Sequence, residues 1–108
     1  MSYSIEVTTY FDRQLKRLIR KFPSLKAEYK ELVTILKQNP EMGTPVGNNC
    51  FKIRLAISSK GKGKSGGARL ISHIQVINQK VFLLTIYDKG EQSSISDRDI
   101  NSLLKLIP

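Results

Sequence analysis

Basic side chains alternate with apolar ones between residues 50 and 89, and this spacing suits chemistry on a phosphate. Neighbouring residues of a β-strand point to opposite faces. One face would therefore be apolar, and the other would carry five groups, Lys52, Arg54, Arg69, His73 and Lys89. Residues 51–80 include no Asp or Glu. A sheet face of this kind predicts a polyanionic partner, RNA or DNA.

Cations on a rigid sheet could support RNA cleavage without a metal ion. When the 2′-hydroxyl of RNA attacks its own phosphate, the protein has to supply a base, an acid and positive charge for the phosphoryl oxygens. Arg69 is suited to a bidentate phosphate contact. Lys52 and Arg54 would supply further charge, and Lys52 could also exchange a proton. One Cys and one His are too few for a zinc site made by this chain alone, so we expect no metal and no cofactor.

Three further residues could complete such a site. His73 could transfer a proton, although a lone histidine in a strand is more often structural. Tyr87 could stack its ring on a base, or it could pack as a rim residue against the last helix. Lys89 has the same parity as Tyr87 and could reach a phosphate.

The segment 58–67 is rich in glycine and lysine, and it includes the triplet Gly63-Lys64-Ser65 that ends a phosphate-binding P-loop. Ser58 stands where that motif needs its first glycine, and the segment leads into a strand instead of a helix. Nucleotide hydrolysis is therefore not expected. We predict a flexible hairpin tip whose lysines either solubilise it or contact an RNA backbone, namely Lys60, Lys62 and Lys64.

The elements that position these residues follow from the hydrophobic period. Residues 3–8 alternate as a short strand. A helix capped by Thr9 ends at Pro23, and a second helix capped by Ser24 ends at Asn39-Pro40. Residues 41–49 are turn formers.

Beyond residue 49 the period changes from helical to two, which predicts three strands. Their apolar faces would be formed by Phe51, Ile53, Leu55 and Ile57, by Leu70, Ile74 and Val76, and by Phe82, Leu84 and Ile86. The Asn78-Gln79 pair predicts a tight hairpin between the last two strands, and Ser96 would cap a final helix. The fold class is α+β, with an N-terminal strand and a helical hairpin packed on a mainly antiparallel sheet, and a C-terminal helix. The helices should cover the apolar side and leave the cationic side open.

The length and composition of the chain predict a single globular domain. The chain has 108 residues, 40% of them hydrophobic, with a net charge of +9, which predicts a single domain over residues 1–108. Cys50 is expected to be an inert core thiol. Since the N-terminus does not look like a signal peptide and no apolar run could span a bilayer, we expect a cytoplasmic protein without a membrane partner.

Three short segments follow one another in a defined order: Phe51-Lys52-Ile53-Arg54-Leu55, Gly67-Ala68-Arg69-Leu70-Ile71 and Val81-Phe82-Leu83-Leu84-Thr85-Ile86-Tyr87-Asp88-Lys89. Together with the opening strand and the first helix, this order resembles that of the toxins of the RelE/ParE superfamily over nearly the whole chain. The insert Gly63-Lys64-Ser65-Gly66-Gly67-Ala68-Arg69 is especially similar to the HigB-like branch.

The resemblance implies a RelE-like fold and a toxin of a type II toxin-antitoxin module that enters the ribosomal A site and cuts mRNA there. It also implies a cognate antitoxin, expected to be a helix-turn-helix protein. Lys52 and Arg54 match the family's basic pair, Arg69 its phosphate-binding arginine and Lys89 its later cation.

One departure from the family pattern leaves alternatives open. RelE-type members often carry a tyrosine after the last cation, and residues 93–99 contain none. Either Tyr87 or His73 takes over stacking or proton transfer, or activity is weaker, or this chain does something else. The competing functions are a ParE-like inhibitor of DNA gyrase without nuclease activity and a basic scaffold without activity.

Overall fold

The computed structural model describes residues 2–61 and 63–108, with the backbone but not the side chain of Lys64. Its helices are α1 (Thr9–Lys21), α2 (Leu25–Gln38) and α3 (Asp97–Leu104). Its strands are β1 (Ser4–Val7), β2 (Thr44–Gly47), β3 (Cys50–Leu55), β4 (Ala68–Gln75) and β5 (Lys80–Asp88). Two short 3-10 turns, Ser58–Lys60 and Lys64–Gly66, lie between β3 and β4. Within the described ranges, no helix combines the length and the apolar character that crossing a membrane requires.

All five strands form one sheet in the order β1-β5-β4-β3-β2. β1 is parallel to β5, and the other neighbours are antiparallel. The predicted α+β class is therefore confirmed, with its N-terminal strand, helical hairpin, mainly antiparallel sheet and C-terminal helix.

The helices α1 and α2 pack on one face of the sheet, which we call the helical face. Each helix presents one apolar stripe because its apolar residues recur at helical spacing, as Phe11, Leu15 and Leu18 do in α1. These stripes meet the inward residues of the strands, Ile53, Leu70, Ile74, Val81, Leu83 and Ile86, in the main core.

The opposite face carries Lys52, Arg54 and Arg69, and we call it the cationic face. The helix α3 covers part of it, because Ile100 packs with Cys50, Ile71, Phe82 and Leu84 in a second, smaller core. The expectation that helices cover only one side of the sheet is therefore wrong. Arg54, which does not belong to this second core, is exposed on the same face.

A β-bulge in β5 explains why apolar residues of this strand lie on the cationic face under α3. Ile71 pairs with Thr85, but the next residue, Ser72, pairs with Leu83, so β5 has one extra residue at Leu84. The extra residue interrupts the alternation along β5. Phe82 and Leu84 consequently lie in the second core and not with Ile86 in the first.

The segment predicted as turn formers includes a strand. Residues 44–47 form β2, which pairs with β3 at the edge of the sheet. The two strands are joined by Asn48 and Asn49, whose φ angles are 53° and 57°. Positive φ at two central residues is the geometry of a tight hairpin turn, and asparagine tolerates it better than most residues.

Two of the three predicted helix caps need correction. Thr8, and not Thr9, caps α1, since its hydroxyl accepts the N–H of Phe11 at 3.1 Å. Ser24 does not cap α2, because its hydroxyl donates to Glu28 at 3.0 Å instead. Ser96 caps α3 as predicted. The β4–β5 turn spans residues 76–79, so the predicted strand residue Val76 lies in the turn.

Candidate nucleic-acid interface

The strand register brings three of the predicted site residues into one row across the sheet. Arg54 of β3 is directly opposite Arg69 of β4, and Arg69 is directly opposite Tyr87 of β5. Paired residues of an antiparallel sheet have Cα atoms about 4.5 to 5.5 Å apart and point to the same face. The prediction that Arg54, Arg69 and Tyr87 share a face is therefore confirmed.

Arg69 is buried, which corrects the expectation that it is an exposed side chain. It is only 3% exposed. Its guanidinium donates to the carbonyl oxygen of Ala68 at 3.1 Å and to that of Ser65 at 3.3 Å. The side chain therefore ties the end of the β3–β4 loop to β4 while it adds charge to the row. Arg54, by contrast, is exposed.

Tyr87 is also buried, at 4% exposure. Burial raises the pKa of its phenol, and the nearby positive charge of Arg69 opposes part of that rise. The phenol is therefore neutral at physiological pH and can donate a hydrogen bond. A base could not stack on this ring without displacing what covers it, so the structure argues against the predicted stacking role.

Lys52 and Lys89 border the row. Lys52 lies two residues before Arg54, opposite Ile71, and is half-buried. Lys89 follows the end of β5 and is half-buried as well, and its backbone N–H donates to the carbonyl oxygen of Gly67 at 3.0 Å. Their places beside the row keep Lys52 and Lys89 as candidate site residues.

His73 shares the cationic face but is separated from the row. It is opposite Cys50 and lies four positions after Arg69 in β4, which is about 13 Å along a strand. Its Nδ1 is 2.9 Å from the carbonyl oxygen of Asn48 and 3.6 Å from the Cys50 sulfur. The structure thus supports the structural interpretation of His73, and the second core lies between it and the arginines.

Of the three loop lysines, Lys60 has a described side chain. Lys60 is half-buried and makes an ion pair with Asp88, which corrects its placement in a flexible tip. Its ammonium is occupied by this carboxylate and is not free for a phosphate. Lys62 lies outside the described residues, and so does the side chain of Lys64.

Asp88 is the residue that the sequence analysis missed. It lies on the helical face, since it pairs with Ala68 of the main core, and it is 3% exposed. Burial alone would raise the pKa of Asp88, but hydrogen bonds from Lys60 and Gly90 and the charges of Lys60 and Lys21 outweigh burial and lower it. The sequence feature that could have identified Asp88 is that it is a single acidic residue at the end of an otherwise apolar strand.

Gly67 allows the close approach of β3 and β4 next to the arginine row. A Cβ atom at this position would be 2.1 Å from the carbonyl oxygen of Leu55 and 3.0 Å from the Cα of Ala56. Any side chain would therefore push the two strands apart where Arg54 and Arg69 face each other.

Several solved toxin structures are similar to this chain. A double arginine-to-alanine mutant of the E. coli toxin RelE in the free state has a TM-score of 0.61 and 19% identity over the whole of both chains. The toxin-antitoxin complex RelBE2 from Mycobacterium tuberculosis has a TM-score of 0.61 and 22% identity, over 82% of this chain and 99% of the other. The RelE mutant bound to a peptide of the antitoxin RelB has a TM-score of 0.54 and 23% identity over the whole of both chains.

No family model matches the sequence. The similarity in three dimensions nevertheless extends over the whole chain, with the same α+β arrangement and C-terminal helix. This chain therefore has the fold of the RelE toxins.

Proposed function

We propose that this protein is the toxin of a type II toxin-antitoxin module and that it cleaves mRNA on the ribosome. The observation that carries the proposal is the pair formed by Arg54 and Arg69, directly opposite each other on neighbouring strands. Like charges in this position destabilise a sheet. A bound phosphate would remove that penalty, so the pair is best explained as an anion site. The RelE-like fold supports mRNA as the proposed substrate.

The proposed chemistry needs no metal ion. The 2′-hydroxyl attacks the adjacent phosphate, the bond to the 5′-oxygen breaks, and the products are a 2′,3′-cyclic phosphate and a 5′-hydroxyl; water can then open the cyclic phosphate to a 3′-phosphate. The exposed Arg54 would contact the phosphoryl oxygens, and the buried Arg69 opposite it would add positive charge to the site. Lys52 and Lys89 are the candidates for proton transfer, and the neutral phenol of Tyr87 can donate a hydrogen bond.

The proposed partners are the ribosome, its mRNA and a cognate antitoxin in the cytoplasm. Support for an antitoxin comes from two similar structures, one a toxin-antitoxin complex and the other a RelE mutant with an antitoxin peptide. An acidic or amphipathic segment would suit a chain of net charge +9. A helix-turn-helix antitoxin of the HigB-like branch remains our expectation.

Primer extension on mRNA from cells that express the protein without its antitoxin tests the proposal. We expect cuts in register with codons for the natural chain and none for Arg54→Gln. Arg20→Gln is the matched control, because Arg20 is exposed on α1 and makes no ion pair among the described residues. Intact transcripts together with double-strand DNA breaks would refute the nuclease and favour a gyrase inhibitor. Unaffected growth would favour an inactive scaffold.

A further inference from the structure

The loop between β3 and β4 controls where the Arg69 guanidinium lies. It begins after Leu55, the neighbour of Arg54, and ends before Ala68, the neighbour of Arg69. The carbonyl oxygen of Ser65, within this loop, accepts a hydrogen bond from the Arg69 guanidinium at 3.3 Å. The carbonyl oxygen of Gly67 accepts the N–H of Lys89 at 3.0 Å. The path of the loop therefore decides the position of two proposed site residues.

The loop has little stiffness of its own. It includes four glycines, and two of them, Gly61 and Gly63, have positive φ angles of 68° and 63°. Glycine gives the backbone more freedom than any other residue. Contacts with the rest of the protein must therefore hold this loop in one path.

Its first anchor is the turn between α1 and α2. Ser24 and Ser59 exchange two hydrogen bonds, each from a backbone N–H to a hydroxyl, at 3.1 and 3.0 Å. Glu28 accepts the N–H and the hydroxyl of Ser58 at 2.9 and 2.7 Å. These bonds hold the first turn of the loop against α2.

The second anchor is the ion pair between Lys60 and Asp88. Their side chains are 11% and 4% exposed, and the Lys60 ammonium lies 5.4 Å from the centre of the Phe22 ring. The pair therefore spans from the loop to the end of β5 over the last turn of α1. Asp88 also accepts the N–H of Gly90 at 3.0 Å and lies 3.9 Å from the Lys21 ammonium.

A shielded ion pair of this kind is better suited to fixing a geometry than to adding stability. The cost of removing two charges from water offsets most of their attraction, and apolar residues of similar volume often stabilise a fold as well or better. Asp88 also lies between Tyr87 and Lys89 in the chain. Its side chain is held on the helical face, so its two neighbours are turned toward the cationic face.

We propose that Lys60 and Asp88 are positioning residues, which hold the glycine-rich loop so that the charge of Arg69 and the ammonium of Lys89 are correctly placed for the phosphate. This inference rests on the proposed nuclease function. It assigns a role to a lysine in the loop that differs from direct RNA binding.

The test compares Lys60→Met, Asp88→Asn and the double variant with the natural chain in ribosome-dependent mRNA cleavage. Glu91→Gln is the matched control, because it removes an acid of the same neighbourhood that contacts Arg17 and Lys21 but not the loop. Measurements are made at a temperature where every variant is folded. Methionine keeps an apolar side chain beside Phe22, so Lys60→Met is expected to fold. If Asp88→Asn does not fold, the comparison is made with Lys60→Met alone.

We expect kcat to fall about 10- to 100-fold in each single variant, with KM unchanged, because a small misplacement of charge costs catalysis more than binding. The double variant should be no worse than the poorer single variant, since the pair acts as a unit. Glu91→Gln should cleave like the natural chain. Rates of folded Lys60→Met and Asp88→Asn within twofold of the natural chain would overturn the proposal.

Amide hydrogen exchange gives a second readout that does not need cleavage. If the natural chain cuts no RNA at all, the nuclease proposal fails. Hydrogen exchange alone then tests whether the ion pair of Lys60 and Asp88 holds the loop. Exchange in residues 58–67 at least about tenfold faster in both variants, with β4 and β5 unchanged, would support the anchor. Equal exchange in the loop would refute it.

Discussion

Replacing Arg54 with glutamine should stabilise the fold and at the same time remove the proposed RNA cleavage. Arg54 is directly opposite Arg69, so the natural protein keeps two like charges side by side. Glutamine retains polarity and similar length while it removes one charge. A gain in stability together with a loss of activity is typical of residues kept for function.

The size of the gain follows from the geometry. If the two charges are as far apart as paired Cα atoms of a sheet, about 5 Å, Coulomb's law gives about 0.8 kcal/mol at the dielectric constant of water and about 3 kcal/mol at an effective value of 20. Because Arg54 is exposed to solvent, the lower end applies, at about 1 kcal/mol or less. For a domain of this size that is a rise in Tm of up to about 4 to 8 °C.

The assay is urea unfolding and thermal melting at low and high salt. The matched control is Arg20→Gln, which lowers the net charge equally without a cation opposite it on a neighbouring strand. We expect Arg54→Gln to exceed the control in stability at low salt and to lose that advantage near 1 M salt, where the screening length is about 3 Å. Cleavage should fall about 100-fold or more, as on loss of a donor to a developing oxyanion.

Two results would refute the reasoning. If Arg54→Gln is no more stable than Arg20→Gln at low salt, the two arginines do not repel each other in the free protein. If its advantage persists at 1 M salt, the gain has a cause other than charge. Either result would remove the charge repulsion on which the proposal of an anion site rests.

Four further predictions concern the frame of the site. Gly67→Ala should destabilise the fold by about 1 to 3 kcal/mol in urea unfolding, because its Cβ would overlap the Leu55 carbonyl oxygen; an unchanged midpoint would contradict this overlap. Burial raises the pKa of the Cys50 thiol to about 11, so thiol reagents at pH 8 should label it only as fast as the protein opens, and rapid labelling of the folded chain would refute this. Since the pKa of Asp88 is lowered in the fold, the stability that it contributes is present above the unfolded pKa and is lost as pH falls below about 4. The difference in stability between the natural chain and Asp88→Asn should therefore shrink in acid, and a difference independent of pH would contradict it. Ser96→Ala should cost about 1 kcal/mol through loss of the α3 cap, and no change in stability would show that the cap is not needed.

Local patterns in the sequence were enough to identify most elements. Apolar spacing in α1 and α2 predicted both helices, and alternation predicted β3 and β4, because these patterns are direct consequences of helix and strand geometry. The strand β2 was missed because it is a short edge strand formed by turn-forming residues, and only pairing with β3 makes it a strand. The bulge at Leu84 was missed because a register shift depends on the partner strand and not on β5 alone.

For the candidate site, the sequence by itself determined which residues share a face within each strand, since the alternation of side chains is a property of the backbone. The register between the strands then placed Arg54 opposite Arg69 and Arg69 opposite Tyr87. The sequence also determined the net charge that favours an anionic partner. Only the tertiary structure decided that Arg69 and Tyr87 are covered, that His73 lies away from them, and that Lys60 is paired with Asp88. The ion pair of Lys60 and Asp88 joins residues 28 positions apart in the chain, and a local pattern holds no information about such a partner.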